Sequence, residues 1–403
     1  MIYPANFEEK IGFDRIREQV TALCSTPSAK AKLAEEGFST SADEIERRLS
    51  LMNEMRSLLM LERDFPDGDY PDPAPLVAKI RVEGSYLLAA EADQLRKALV
   101  TVGAIAEFIL GRGGARYPRL WELSRRVTLF PEIVRAIDAI LDDRGEVKDS
   151  ASPELQQVRR AIREREGQAA KRLQQVLQRA KQAGIVDADA VLSVRDGRPV
   201  IPVAAANKRK LQGFIHDESA TGRTFYVEPV EVVEINNELK ELEYAERREV
   251  VKVLSAFTES IRPDAEVIAD AGDYLSSVDM IRAKARWALA NDAGKPILST
   301  DDRLELRTAR HPLLQQTLRA QGREVVPLDL ALDRRKHILV ISGPNAGGKS
   351  VCLKTTGLMQ YLFQCGYPVP ASEVSELPVF RSIFIDIGDE QSIDDDLSTY
   401  SSH

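Results

Sequence analysis

The chain is poor in the residues that most often advertise a compartment or a cofactor. Aromatics fill 6% of its 403 positions, and only two are Trp. Sheets lean on aromatic and β-branched residues, whereas the abundant Ala, Leu, Glu and Arg favour helices. Cysteine occurs three times, at Cys24, Cys352 and Cys365, and never as C-x-x-C. That argues against a thiol-based zinc site and against a disulfide framework. No run of 18 apolar residues occurs, so no segment reads as a membrane span. The opening MIYPANFEEKIGF lacks a basic stretch followed by an apolar one, so it does not read as a secretory signal. A reducing cytoplasm is the expected compartment. The net charge of −8 offers no molecule-wide attraction for nucleic acid and leaves that role to local basic patches. What is present in quantity is hydrophobic material, 43% of the chain, enough for two to four domains with cores of their own.

The fold class expected is mainly α with α/β. Residues 5–150 read as amphipathic helices. One is expected from about Phe13 to Leu33, with Phe13, Ile16, Val20 and Leu23 on one face. Another spans about Ala42 to Glu62, and more follow near Glu91–Leu110 and Phe130–Leu141. The Pro- and Asp-rich FPDGDYPDPAP at 65–75 reads as a loop. Nothing in this stretch suggests chemistry, and a packing domain over 1–153 accounts for it.

Residues 154–184 carry Leu155, Val158, Ile162, Ala169, Leu173, Val176 and Ala180 at alternating spacings of three, four and seven. That is a seam for a partner helix. The same stretch is basic, with Arg159, Arg160, Arg163, Arg165, Lys171, Arg172, Arg179 and Lys181. The period then switches to two. VLSV (191–194), PVIPVAA (199–205), LQGFIH (211–216) and TFYVEP (224–229) read as short strands, with turns at Asp196-Gly197, Asn207-Lys208 and Thr221-Gly222. A helix then returns with eight glutamates between Glu228 and Glu249. A basic helix out and an acidic helix back predict an antiparallel coiled-coil arm over 154–262, with a β tip at about 190–229. Pairing with the returning glutamates competes with DNA binding as the reason for the basic helix. A helix over about 263–292 closes the arm's base, and Gly294-Lys295-Pro296 marks the boundary to an α/β region over 296–403.

That last region holds KHILVISGPNAGGKSVCLKTTGLMQYL. HILVIS reads as a buried parallel strand, GPNAGGKS as a glycine loop and VCLKTTGLMQYL as a helix. Strand, loop and helix in this order are the context of a Walker A motif. Glycines let backbone N–H groups curl around phosphate oxygens at a helix N-terminus. Gly343, Pro344, Asn345, Ala346, Gly347, Gly348 and Val351 then belong to an ATP site, Lys349 reaches the β/γ-phosphates, and Ser350 offers its hydroxyl to Mg²⁺. By composition such a pattern arises by chance in about one chain of this length in a hundred.

GPNAGGKS, followed by FIDIGDEQSIDDDLSTYSSH, resembles the ATPase of the MutS family, and most of all its second bacterial branch. RHPLL at 310–314 is similar to the family's lead-in to that domain. The order of helical block, basic helix, β insert, acidic helix and phosphate loop is similar to the family plan over essentially the whole chain. The resemblance implies a helical core, a lever arm with a β clamp, an ABC-type ATPase and a homodimer. It implies that Ser398 and Thr399 form the loop that approaches the partner's γ-phosphate, where an Asp-rich solvated loop fits the same residues. It implies that Val325 and Val326, with His311 near them in sequence, pack against adenine, where a plain core strand also fits.

The resemblance further implies DNA contact by Lys208, Arg209 and Lys210 at the tip, where a solvated hairpin turn also fits. Binding of mismatched DNA, as in mismatch repair, is a second and less favoured alternative. Phe7-Glu8-Glu9 and Phe257-Thr258-Glu259 match the Phe-x-Glu wedge literally, but neither lies in the wedge's domain. Only 53 residues follow Ser350, fewer than a full ATPase domain of this type needs, so a chain cut inside that domain and without the Smr nuclease is expected. Little ATP turnover follows. The functions implied are an ATP-dependent DNA-binding protein acting on branched or recombining DNA and suppressing homologous recombination or, alternatively, a ribosome-associated ATPase that separates stalled ribosomes and contacts ribosomal RNA. A structural coiled-coil fragment with a vestigial loop is the bland alternative.

Overall fold

A computed structural model of the chain describes residues 1–195, 197–343 and 348–387. The described residues are mainly helical, with three small sheets, so the class is mainly α with α/β. They divide into two compact units. The first comprises 1–78, 94–131 and 264 onward, and the second 79–93 and 132–263. Among the described residues no helix is long and apolar enough to cross a membrane.

The chain opens with β1 (Ile2–Tyr3), α1 (Phe7–Ile11) and α2 (Phe13–Ala22), then α3 (Pro27–Glu35), α4 (Ala42–Leu61), α5 (Ala74–Ile80), α6 (Ala89–Gly111) and α7 (Pro118–Ser124). The single helix expected from Phe13 to Leu33 is therefore two. Pro27 lacks an N–H and pushes the residue before it out of the helical region. Thr26 is accordingly extended, at φ −99° and ψ 140°, and its hydroxyl accepts from the Ala29 N–H at 3.0 Å as an N-cap. A tertiary contact fixes the break. The buried carboxylate of Asp279 accepts from the Thr26 N–H at 2.8 Å and from its hydroxyl at 3.1 Å. Asp279 sits on the long helix α11 (Ala265–Ala290), after α8 (Pro131–Ile140), α9 (Pro153–Gln182) and α10 (Val230–Ile261). It also accepts from fully buried Arg282 at 2.8 Å, whose guanidinium lies 3.7 Å from the Tyr70 ring centre. Two buried charges thus neutralise each other and satisfy a broken backbone.

The first unit continues with β6 (Ile297–Leu298), β7 (Leu304–Ala309), α12 (Pro312–Ala320), β8 (Leu328–Leu332), α13 (Lys349–Gln364), β9 (Glu376–Leu377) and β10 (Ile383–Phe384). One sheet has the order β6-β9-β7-β8, and β1 pairs with β10 in parallel. Its core gathers Phe13, Ile16, Leu49, Trp287, Leu358 and Phe363. An aromatic cluster seats α13. The Tyr361 ring lies 5.1 Å from Phe7, 4.9 Å from Phe13 and 5.6 Å from Phe38, and its hydroxyl donates to Glu8 at 2.6 Å. The HILVIS run departs from expectation. No strand forms over 337–342, and Ile338, Leu339 and Val340 are 76%, 50% and 83% exposed. A parallel strand is held by ladder bonds on its flanks, and among the described residues none pairs with this run.

In the second unit α9 and α10 pack antiparallel. Arg159 pairs with Glu246 at 2.7 Å and Arg165 with Glu238 at 2.8 Å, so partner numbers fall as α9 advances. Between the helices lie β2 (Ser193–Arg195), β3 (Arg198–Ala204), β4 (Gly213–Glu218) and β5 (Thr224–Pro229), an antiparallel sheet in the order β2-β3-β5-β4. Ile201, Val203 and Val227 of the sheet pack with Leu173, Val176, Leu177 and Ala180 of α9 and with Val232 of α10. The segment Ala205–Asn207 is a short 3-10 helix rather than a tight two-residue turn. Near the end of β5 the buried carboxylate of Glu228 accepts from Arg198 at 2.9 Å and from Asn236 at 2.6 Å, and meets His216 Nε2 at 2.6 Å. Burial pushes this carboxyl up, but the three partners together outweigh it and hold it below its ordinary value.

Candidate functional site

The glycine loop is described at its two ends. Pro344, Asn345, Ala346 and Gly347 lie outside the described residues. Gly348 has φ +80°, a left-handed conformation that glycine adopts without the steric cost a Cβ brings. It turns the chain directly into α13, whose first residues are Lys349 and Ser350. The first turn contains no acidic side chain. Its N–H groups and the positive end of the helix dipole are the local basis of an anion site. Lys349 Nζ donates to the Gly343 carbonyl at 2.7 Å, so the lysine bridges the two ends of the loop.

Beside this helix start lies a cavity of about 240 Å³. Its walls include His311, Val325, Val326, Gly348, Val351 and Cys352. The structure thus brings together five residues named from sequence, drawn from three separate stretches. The register between β7 and β8 does this: Ala309 pairs with Leu328, so the segments just after one strand and just before the other come side by side. Cys352 and Thr355 also line the cavity and were not singled out from sequence. Helical spacing could have found them, since Thr355 lies one turn beyond Val351.

His311 is 3% exposed, and neither ring nitrogen has a hydrogen-bond partner. Burial drives its pKa down to about 4, aided by the charges of Lys354 and Arg15. The imidazole is therefore neutral at pH 7, with one donor and one acceptor nitrogen.

Ser398 and Thr399 lie outside the described residues. Lys208, Arg209 and Lys210 are in the second unit, all exposed, directly after the 3-10 turn. Asn207 Nδ2 donates to the Ile185 carbonyl at 3.0 Å, which ties this turn to the end of α9. Lys208 Nζ lies 4.6 Å from the centre of the Phe225 ring, a cation–π contact that holds its charge at the surface. No cluster of three or more His, Cys, Asp or Glu suited to a metal occurs among the described residues.

Residues 339–403 match the family description MutS domain V. The chain is 35% identical over 393 residues to "Endonuclease MutS2" of Bacillus velezensis, covering 97% of this chain and 49% of that protein. It is 36% identical over 404 residues to the protein of the same name from Thermomicrobium roseum, covering 97% and 50%. The corresponding Pelotomaculum thermopropionicum protein is 35% identical over 395 residues, covering 98% and 49%. The chain spans about half the length of the curated relatives it matches. Glycine loop, element order and likeness along nearly its full length agree in making the chain similar to MutS2 proteins of the MutS family.

Proposed function

We propose that this chain is an ATP-dependent DNA-binding protein of the MutS type, acting on branched or recombining DNA and suppressing homologous recombination. The observation that carries the nucleotide half is the cavity at the start of α13, where His311, Val325, Val326, Gly348 and Val351 converge. Its apolar walls suit a purine ring, and the helix N-terminus beside it suits phosphates. In this reading Lys349 exchanges the Gly343 carbonyl for the β/γ-phosphates. Ser350 would hold Mg²⁺ as a hard oxygen donor. Bound there, Mg²⁺ would neutralise charge on the phosphates. Ser398 and Thr399 would serve the γ-phosphate of the second subunit in a homodimer. Nucleotide state would then set dimer geometry and, through it, the grip on DNA.

Titration with a fluorescent ADP analogue tests the site. Lys349→Ala is expected to weaken binding at least tenfold, since it removes the one lysine aimed along the loop. Equal affinity of the variant and the parent would remove Lys349 from the site.

A further inference from the structure

Apart from Lys181, whose Nζ donates to the Ala188 carbonyl at 2.8 Å, the basic residues of α9 fall into two groups. Arg159 bonds Asp149 and Glu246, Arg163 bonds Asp149, and Arg165 bonds Glu238. Arg160, Lys171, Arg172 and Arg179 are exposed and have no ion-pair or side-chain hydrogen-bond partner among the described residues. Pairing with the returning helix therefore accounts for only part of the charge. At 3.6 residues per turn the four unpaired cations share an arc of about 120°. At 1.5 Å per residue Arg160 and Arg179 are about 28 Å apart. Along that arc the intervening exposed residues are mostly glutamines, Gln168, Gln175 and Gln178, with Glu164 the lone acid. The stripe does not stop at the helix end. Asn207 joins the turn carrying Lys208, Arg209 and Lys210 to the chain just past α9. Across the pair, α10 exposes Glu231, Glu234 and Glu241 and also Arg247 and Arg248.

We propose that the outward face of α9, continued by Lys208, Arg209 and Lys210, is a single seat for the phosphate backbone of duplex DNA. The inference rests on the nucleic-acid half of the proposed function and moves its main contact from the tip to the helix. A straight helix carrying cations over about 28 Å runs alongside about eight base-pair steps at 3.4 Å each. Arginine, lysine and glutamine there contact phosphates and sugars without reading bases, so the seat is indifferent to sequence.

The test uses the whole chain and a 30-base-pair duplex, with affinity measured between 50 and 200 mM salt. Changing Arg160, Lys171, Arg172 and Arg179 together to Gln is expected to lower the slope of log affinity against log salt by roughly 0.9 per lost contact, a drop of about 3 to 4. Changing Arg163 and Arg165 to Gln is expected to leave the slope unaltered, because their charges are already met. Helicity by circular dichroism keeps the comparison to folded proteins. A four-fold variant with the parental slope, while Lys208→Ala/Arg209→Ala/Lys210→Ala loses it, overturns the helix seat and leaves DNA binding at the tip. A parent that binds no duplex overturns the proposed function itself. A duplex RNA of equal length run in parallel decides the source: RNA bound with the full slope and DNA not bound overturns the assignment to DNA.

Discussion

His311 shows how much one side chain can report. A buried imidazole without partners is costly unless it stays neutral, and burial holds its pKa near 4 against about 6.5 in an unfolded chain. Between those values the unfolded chain binds a proton that the folded chain refuses, so stability rises with pH there and falls as the solution is acidified. From pH 7 to pH 4 the loss attributable to this group is roughly 3 kcal/mol. His311→Phe should lack it. Urea unfolding at pH 7 and pH 4.5 checks this, and parallel losses in the two proteins would show that His311 is not the titrating group. In the sequence His311 offered only its nearness to the phosphate loop's domain. Its burial depends on α1 and α12 folding over it, and no local pattern records that. Gly348 and Lys349, by contrast, were legible because the loop's spacing is itself the requirement: a left-handed residue, then a cation at a helix start.

At the scale of elements, hydrophobic period located α4, α6, α9, α10, α11 and α13 to within a few residues, since each buries one stripe over many turns. It merged α2 and α3, because the stripe continues past the break and only Pro27 and Thr26 mark it. It overran on β2, which starts at Ser193 rather than Val191, where no neighbour continues the ladder. HILVIS failed for a different reason. Its composition suits a strand, but strands are made by partners, and a run of β-branched residues does not supply them.

Close approach within the β insert is equally invisible to pattern. A Cβ on Gly213 would lie 2.2 Å from the Glu228 carbonyl oxygen and 2.7 Å from a Val227 methyl. Gly213→Ala must therefore push β4 off β5, at a cost of about 1–3 kcal/mol by the usual range for overpacking. Hydrogen exchange should show protection lost across β4 and β5 and kept in the α9–α10 pair. Unchanged protection in β4 would contradict the packing.

For the whole molecule, the two units have separate cores: Phe13, Leu49, Trp287 and Leu358 in one, Leu173, Val176, Ile201 and Val227 in the other. Independent cores favour independent unfolding steps. Calorimetry is expected to resolve two transitions. A ligand that binds only a folded state stabilises that state by RT ln(1 + [L]/Kd), so ADP at about a hundred times its Kd should add about 2.7 kcal/mol to one unit alone. The transition it moves should be the one lost on disrupting the core around Leu358. A single transition that shifts as a whole with ADP would mean the units unfold together. Changes of period and charge divide the sequence into a helical core, an arm and a loop-bearing region, whereas the described residues fall into two compact units. That residues 79–93 and 132–153 fold with the arm was not readable, because their helices look like those before them.

The unpaired stripe on α9 belongs to a protein whose net charge is −8. At about 10 mM salt the screening length is near 30 Å, and an approaching duplex feels the whole acidic particle. At about 100 mM it shrinks to roughly 10 Å, and only the nearest face counts. Encounter rates should therefore climb and then decline as salt is added, instead of declining throughout as they do for a uniformly basic binder. Low ionic strength, the usual choice for capturing weak complexes, would slow the meeting of these two molecules. On the proposed seat, a productive approach would then be one that brings the stripe nearest the duplex.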